Sequence, residues 1–244
     1  MRISRIYLPL PLTIGATVRL DDNAFNHAVR VLRLKSGAAL ILFNGGGGAF
    51  SATLADVSKR EAWAQVTEYL PGEVESPLRI TLGQGVSRGE KMDYTLQKAV
   101  ELGVAMIQPL FTERGGVDLK DERLQRKIEH WRGIVIGASE QCGRNQLTEL
   151  REPLALRSWL AQLMDPGLRL LLDPSAERSL RHLEPPMEPV TLLIGPEGGL
   201  SPAEIIQAGQ AGFLSVRLGP RVLRTETAGL AALAAMQALW GDWN

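Results

Sequence analysis

Five short, nearly continuous apolar runs constrain this chain more than any other feature: Ile80–Leu82, Ala105–Phe111, Leu168–Leu172, Val190–Ile194 and Leu214–Leu218. Strands buried on both faces look like this, because neither face can be left polar. Between most of the runs the apolar period changes to that of a helix. Met92, Leu96, Ala99, Val100 and Gly103 share one helical face, and Leu124, Ile128, Trp131, Val135 and Ala138 share another. Strands alternating with helices predict an α/β domain built on a mostly parallel sheet, covered on both sides.

The first 70 residues have a different rhythm. Ile3–Leu8, Ala38–Phe43, Ala49–Val57 and Ala62–Tyr69 are strand candidates, and Asn44-Gly45-Gly46-Gly47-Gly48 reads as a hairpin turn. Asp21 or Asp22 could cap a helix running through Arg33. Short strands with one helix predict a small β-barrel or half-barrel. A seam rich in proline and acid lies at residues 70–78, so a boundary is expected between 1–72 and 73–244. Residues 1–70 carry 8 basic and 5 acidic side chains, against 19 and 22 in the rest. The N-terminal part is therefore the more plausible polyanion contact.

Composition excludes several classes. Lys and Arg together equal Asp and Glu at 27 each, which rules out a tail-driven nucleic-acid binder. With 45% hydrophobic and 22% charged residues, the chain is ordinary for a globular protein. Cys142 stands alone, so no intrachain disulfide forms and a reducing cytoplasm is expected. The longest uncharged stretch, Ser36–Ala55, is broken by its glycines, and Pro9 and Pro11 interrupt the early apolar run. Neither a membrane span nor a secretory leader is expected. His27, His130 and His182 are isolated, so no metal site is expected. No Gly-x-Ser-x-Gly elbow occurs, and Cys142 reads as packing rather than a nucleophile.

The sharpest local signal runs from Leu192 to Pro202: a buried strand, then Gly195-Pro196-Glu197-Gly198-Gly199, then a helix start. Ser201 is a good N-cap, Pro202 suits the first helical position, and Glu204 completes a capping box. In an open α/β sheet, ligands bind beyond the strand C-termini. The glycines let a ligand approach the backbone closely. The loop matches neither the Walker spacing nor the dinucleotide fingerprint. Its one charged residue, Glu197, has the wrong sign for polyphosphate and suits a ligand with a cationic centre or hydroxyls.

Other segments carry weaker signals. Gly83-Gln84-Gly85-Val86-Ser87-Arg88-Gly89 misses the dinucleotide pattern by one residue, and Arg88, Lys91 and Lys98 could form a basic rim beside it. After Leu218, the segment Arg221–Thr227 packs two arginines, a glutamate and two threonines into seven residues. Ala228–Trp240 is apolar except for Gly229 and Gln237, so it must be buried, against its own sheet or against a second copy. Gly143 reads as a C-cap, with Arg144 and Asn145 projecting just beyond that helix.

The Ile194–Pro202 loop, together with Leu218–Ala228, resembles the SPOUT-class RNA methyltransferases, and more narrowly the ribosomal RNA small subunit methyltransferase E family. Glu90–Met92, Gln97–Gly103, Glu140–Asn145 and His27–Arg33 are similar to that family too, so the likeness covers nearly the whole chain. The resemblance implies a PUA-like barrel followed by an α/β domain with a trefoil knot, S-adenosyl-L-methionine as cofactor, 16S ribosomal RNA as partner and a homodimer. The implied reaction is methylation of uridine N3. Gly115 and Thr148 depart from the family pattern, in loops expected near RNA.

Under that resemblance, the expected cofactor residues are Leu172, Gly195, Pro196, Glu197, Gly198, Gly199, Leu218, Leu223, Arg224 and Thr225. Arg144 and Arg224 would stabilise charge on the uracil oxygens, and Glu226 would take the N3 proton. Arg30, Arg33, Arg88, Lys91, Lys98 and Arg144 would meet RNA. Three other readings stand beside it. One is a SPOUT enzyme with a different target nucleotide; another is a nucleotide-dependent oxidoreductase or phosphotransferase using Gly83–Gly89. The last is a non-catalytic RNA-binding module.

Overall fold

The computed structural model describes residues 3–115, 121–164 and 166–243. The chain forms two compact units, 1–75 with 136–147, and 76–135 with 148–244. No helix among the described residues is long and apolar enough to cross a membrane.

The first unit holds strands β1 (Ser4–Tyr7), β2 (Thr17–Arg19), β3 (Ala39–Phe43), β4 (Ala49–Val57) and β5 (Ala62–Leu70). They make one sheet in the order β1-β3-β4-β5-β2, with β1 parallel to β3 and the other pairs antiparallel. Alternate residues Leu40 and Leu42, Ala52 and Leu54, Ala64 and Val66 enter one core with Ile6 and Leu8.

The helix expected through Arg33 starts as expected but changes type and ends at Val31. Asp21 caps a four-residue helix α1 (Asp22–Phe25) by accepting the Ala24 N–H at 2.8 Å. The chain then widens into a π-helical turn, Asn26–Val31, in which the Leu32 N–H donates to the His27 carbonyl. Arg33, at φ 56°, turns the chain out of it. One residue too many per turn pushes Val31, 70% exposed, and its flanking arginines outward.

The second unit is a seven-stranded, wholly parallel sheet. In chain order its elements are β6 (Ile80–Gly85), α2 (Glu90–Glu101), β7 (Met106–Phe111), α3 (Asp121–Cys142), β8 (Glu149–Leu150), β9 (Leu154–Ala155) and α4 (Leu156–Gln162). β10 (Leu168–Leu172), β11 (Val190–Ile194), α5 (Pro202–Gln210), β12 (Leu214–Val216) and α6 (Thr225–Trp240) complete it. Strand order is β12-β10-β11-β6-β7-β8, with β9 also paired to β7.

Period-two alternation splits the sheet between two cores. Leu170, Leu192 and Ile194 pack with Trp131 and Met92, whereas Leu171 and Leu193 pack with Trp159 and Phe213. Helices therefore cover both faces, as the apolar runs require. β2, β8 and β9 have three residues or fewer, too short to leave a period in the sequence.

Two expectations need correction. α6 begins at Thr225, three residues before the apolar run, so Thr225 and Glu226 form its first turn. Nor is it buried all round: Leu233 is 0% exposed but Leu239 is 49% exposed, because only one face meets the sheet and α2.

Candidate functional site

β12, β10 and β11 are adjacent and parallel, so their C-terminal ends share one edge of the sheet. Beyond that edge lies a cavity of about 540 Å³, within the size range of small-molecule sites. Leu172, Gly195, Pro196, Glu197, Gly198, Gly199, Leu218, Leu223, Arg224 and Thr225 all line it, with Lys91 and Glu226.

The loop after β11 is held tightly on its own backbone. Pro196 accepts the Gly199 N–H at 2.9 Å, and Gly199 sits at φ 67°. A Cβ at Gly195 would come within 2.9 Å of the Leu200 nitrogen, so only glycine lets the loop close on itself. Ser201 and Glu204 form the expected capping box. Glu204 also accepts the Glu113 N–H at 2.9 Å, and Arg114 donates to the carbonyls of Gly198 and Leu200.

Two glycines of Gly83–Gly89 have a packing role. A Cβ at Gly85 would lie 2.6 Å from the Pro196 nitrogen, and one at Gly83 would collide with the Trp159 ring. Gly83 and Gly85 belong to β6 and make room for these neighbours, whereas Gly89, at φ 57°, has open space around it.

Charge at the cavity is ordered. Burial alone would raise the Glu197 pKa, but backbone N–H groups of Glu197 and Arg88, with Lys91, hold it below the ordinary carboxylate value. The Arg88 N–H donates at 3.1 Å and the Lys91 ammonium lies at 3.4 Å, so Glu197 is an ionised brace for the loop. Glu226 is different. Its Oε2 is buried without a hydrogen-bond partner, on the first turn of α6, where the helix dipole favours an anion. Arg224 is exposed at the helix N-cap.

The remaining expected residues are dispersed. Lys98 is engaged by Glu101 at 2.7 Å, while Arg88 presents an exposed side chain. Arg30 and Arg33 are exposed in the first unit, Arg30 lying over the Phe25 ring. Arg144 does not project into solvent. It is 4% exposed and grips Glu75 through Nε and Nη2, at 2.9 and 2.6 Å, because its charge needs a partner once buried. Asn145 accepts from Arg5 and donates to the Gly72 carbonyl at 2.8 Å. Thr148 is also buried and donates to the Val104 carbonyl, so this departure from the family pattern is a packing choice. No group of three or more His, Cys, Asp or Glu residues among the described residues could hold a metal ion.

Comparison with known proteins places this geometry. A family profile for an RNA methyltransferase domain matches residues 74–237, and one for an RNA methyltransferase PUA domain matches residues 20–67. The ribosomal RNA small subunit methyltransferase E of Buchnera aphidicola (subsp. Schizaphis graminum) is 37% identical over 99% of this chain and 98% of its own. The crystal structure of the protein of that name from Neisseria gonorrhoeae, bound to S-adenosyl methionine, superposes with a TM-score of 0.96. It is 42% identical and matches the whole of both chains. A Legionella pneumophila structure with the bound cofactor SAM is 43% identical at the same TM-score, over 99% of this chain and 100% of its own.

Proposed function

As the chain belongs to the ribosomal RNA small subunit methyltransferase E family, we propose that it transfers the methyl group of S-adenosylmethionine to N3 of a uridine in 16S ribosomal RNA. The observation that carries the reading is the glycine-lined cavity with Glu226 on its wall, one carboxylate oxygen of which, Oε2, is buried without a hydrogen-bond partner. A buried carboxylate oxygen without a donor is costly unless a cation or a proton donor completes it.

The residues present fit the cofactor. Leu172, Leu218 and Leu223 give apolar contact, Gly195–Gly199 present bare backbone, and Thr225 closes the floor. S-adenosylmethionine supplies a methyl group made electrophilic by a positively charged sulfur. The likeness over the whole chain to structures solved with S-adenosylmethionine favours this donor over the oxidoreductase and phosphotransferase readings.

N3 of uridine must lose its proton as it gains the methyl group. The Glu226 carboxylate accepts that proton, and the Arg224 guanidinium stabilises the negative charge that develops on the uracil carbonyl oxygens. Pairing blocks N3 in a duplex, so the target base is unpaired or flipped out. Arg30 and Arg33 of the first unit, and Arg88 of the second, contact phosphates of the RNA. Lys91, Lys98 and Arg144 would join them only by releasing their present carboxylates. The knot, the homodimer and a cytoplasmic location belong to the same reading.

The test is to incubate the protein with small ribosomal subunits, or free 16S RNA, and S-adenosylmethionine. Nucleoside digestion and mass spectrometry should then find 3-methyluridine. A methyl group on ribose or on a base carbon would overturn the N3 assignment, and no methylated nucleoside would overturn the enzyme reading.

A further inference from the structure

β6 carries an amide where an apolar side chain would pack more cheaply. Gln84 is 0% exposed, set between Ile194 of β11 and Pro109 of β7 in register. Its Nε2 donates to the Gly85 carbonyl at 3.0 Å and to Thr225 Oγ1 at 3.1 Å. Thr225 Oγ1 in turn lies 2.6 Å from the Gly195 carbonyl oxygen.

The proton direction in this chain is determined. A carbonyl oxygen only accepts, so the single hydroxyl proton of Thr225 goes to Gly195. Thr225 Oγ1 can then only accept, and the amide end facing it must be the NH₂ group. The result is a one-way relay, Gln84 to Thr225 to Gly195. Its cost is visible: Gln84 Oε1 is buried without a hydrogen-bond partner, a penalty that leucine would not carry.

The far end of the relay is where the cavity loop begins. The Gly195–Pro196 peptide has no N–H, so its carbonyl is its one backbone hydrogen-bonding group. Pro196 rests on Gly85 from the same strand. Consecutive residues of β6 thus support the loop twice, once by shape and once by hydrogen bonding. Thr225 also opens α6, so the same relay sets the turn that carries Glu226.

We propose that Gln84 is a positioning residue for methyl-donor binding: acting through Thr225, it fixes the Gly195 carbonyl and the backbone the donor meets. This rests on the reading of the cavity as the S-adenosylmethionine site.

Calorimetric titration of the full chain with S-adenosylmethionine tests it, using Gln84→Leu, Thr225→Val, their double variant and Thr225→Ser, each also melted without ligand. Each of the first two should bind roughly three- to tenfold more weakly, the net worth of one hydrogen bond. The double variant should lose no more than the worse single, because one relay is cut twice. Thr225→Ser, which keeps the hydroxyl, should bind within about twofold of the parent, a rescue that loss of general stability does not produce. Should Gln84→Leu not fold, Gln84→Met replaces it. A folded Gln84 variant with parental affinity, or losses that multiply in the double variant, overturns the proposal. A parent protein that does not bind S-adenosylmethionine overturns the methyl-donor reading itself, and the relay's role with it.

Discussion

Two residues at the cavity do opposite kinds of work, one by having no side chain and one by having an unsatisfied one. The hydrogen at Gly195 faces the backbone of its own loop, with the Leu200 nitrogen 2.9 Å from where a Cβ would stand. Gly195→Ala is therefore expected to force the loop open at a strain of about 1–3 kcal/mol. S-adenosylmethionine affinity should fall at least tenfold by calorimetry, roughly the same energy. Circular dichroism should remain that of the parent, and unchanged affinity would show that loop closure is not needed. Glu226 is the counterpart, a carboxylate whose Oε2 awaits a partner. Glu226→Gln keeps the shape and removes the proposed base, so kcat should fall by about 10²-fold or more. Donor binding should stay measurable, and a variant with parental kcat removes Glu226 from the proton-transfer role.

At the scale of elements, the π-helical turn and the end of α3 are tied by charge. The Glu140 carboxylate accepts the Tyr7 N–H at 2.9 Å and lies 2.7 Å from His27 Nδ1. The hydrogen bond to Glu140 raises the His27 pKa; burial opposes it, and the Glu140 charge adds to it. A histidine with a raised folded pKa contributes its full stabilisation below its unfolded pKa of about 6.5, and loses it as pH rises through the folded value. The thermal midpoint should accordingly fall from pH 6 towards pH 8 more steeply in the parent than in His27→Gln. Identical slopes in a melting series across that range would mean the pair contributes nothing. α2 and α3 are joined differently: Asp93 accepts from Lys127, the Trp131 indole and His130. Burial would raise the Asp93 pKa, but His130 and Lys127 outweigh it and hold it low, so the Asp93 contribution is lost as pH falls through its folded pKa.

For the whole molecule, the structure decides which variants test association. Leu233 is fully buried in the chain's own core, so a charge there would unfold the subunit rather than separate two. Leu239 and Trp243 are half exposed near the end of α6, and in the proposed dimer they would be covered by the second copy. Leu239→Glu should convert a dimer into a folded monomer in sedimentation velocity and reduce methylation. A parent that sediments as an active monomer at micromolar concentration ends the dimer proposal. RNA contact needs similar care. Residues 136–147 belong with 1–75, so deleting the first 70 residues would remove Arg5, which donates to Asn145 and to the Arg144 carbonyl, and the Tyr7 and His27 partners of Glu140. Replacing Arg30 and Arg33 by alanine leaves that packing alone. Two lost phosphate contacts should flatten the slope of log affinity against log salt by about two; an unchanged slope would place the contact elsewhere.

The sequence by itself determined the parallel sheet and the cavity loop, because both are local. Val190–Ile194 and Leu168–Leu172 were legible to the residue, since strands covered on both faces are nearly continuous apolar runs, broken here by Thr191 and Arg169 alone. The Ser201-Pro202-Glu204 start of α5 was legible because capping is a contract between near neighbours. What long-range contact decides was not legible. The helix expected through Arg33 became a π turn, shaped by hydrogen bonds that propensity does not encode. Arg144 has the same local sequence whether it meets solvent or Glu75, 69 positions away, and only the tertiary structure buries it. Gln84 looked like a spacer between two glycines until α6, 141 residues later, brought Thr225 within reach of its amide.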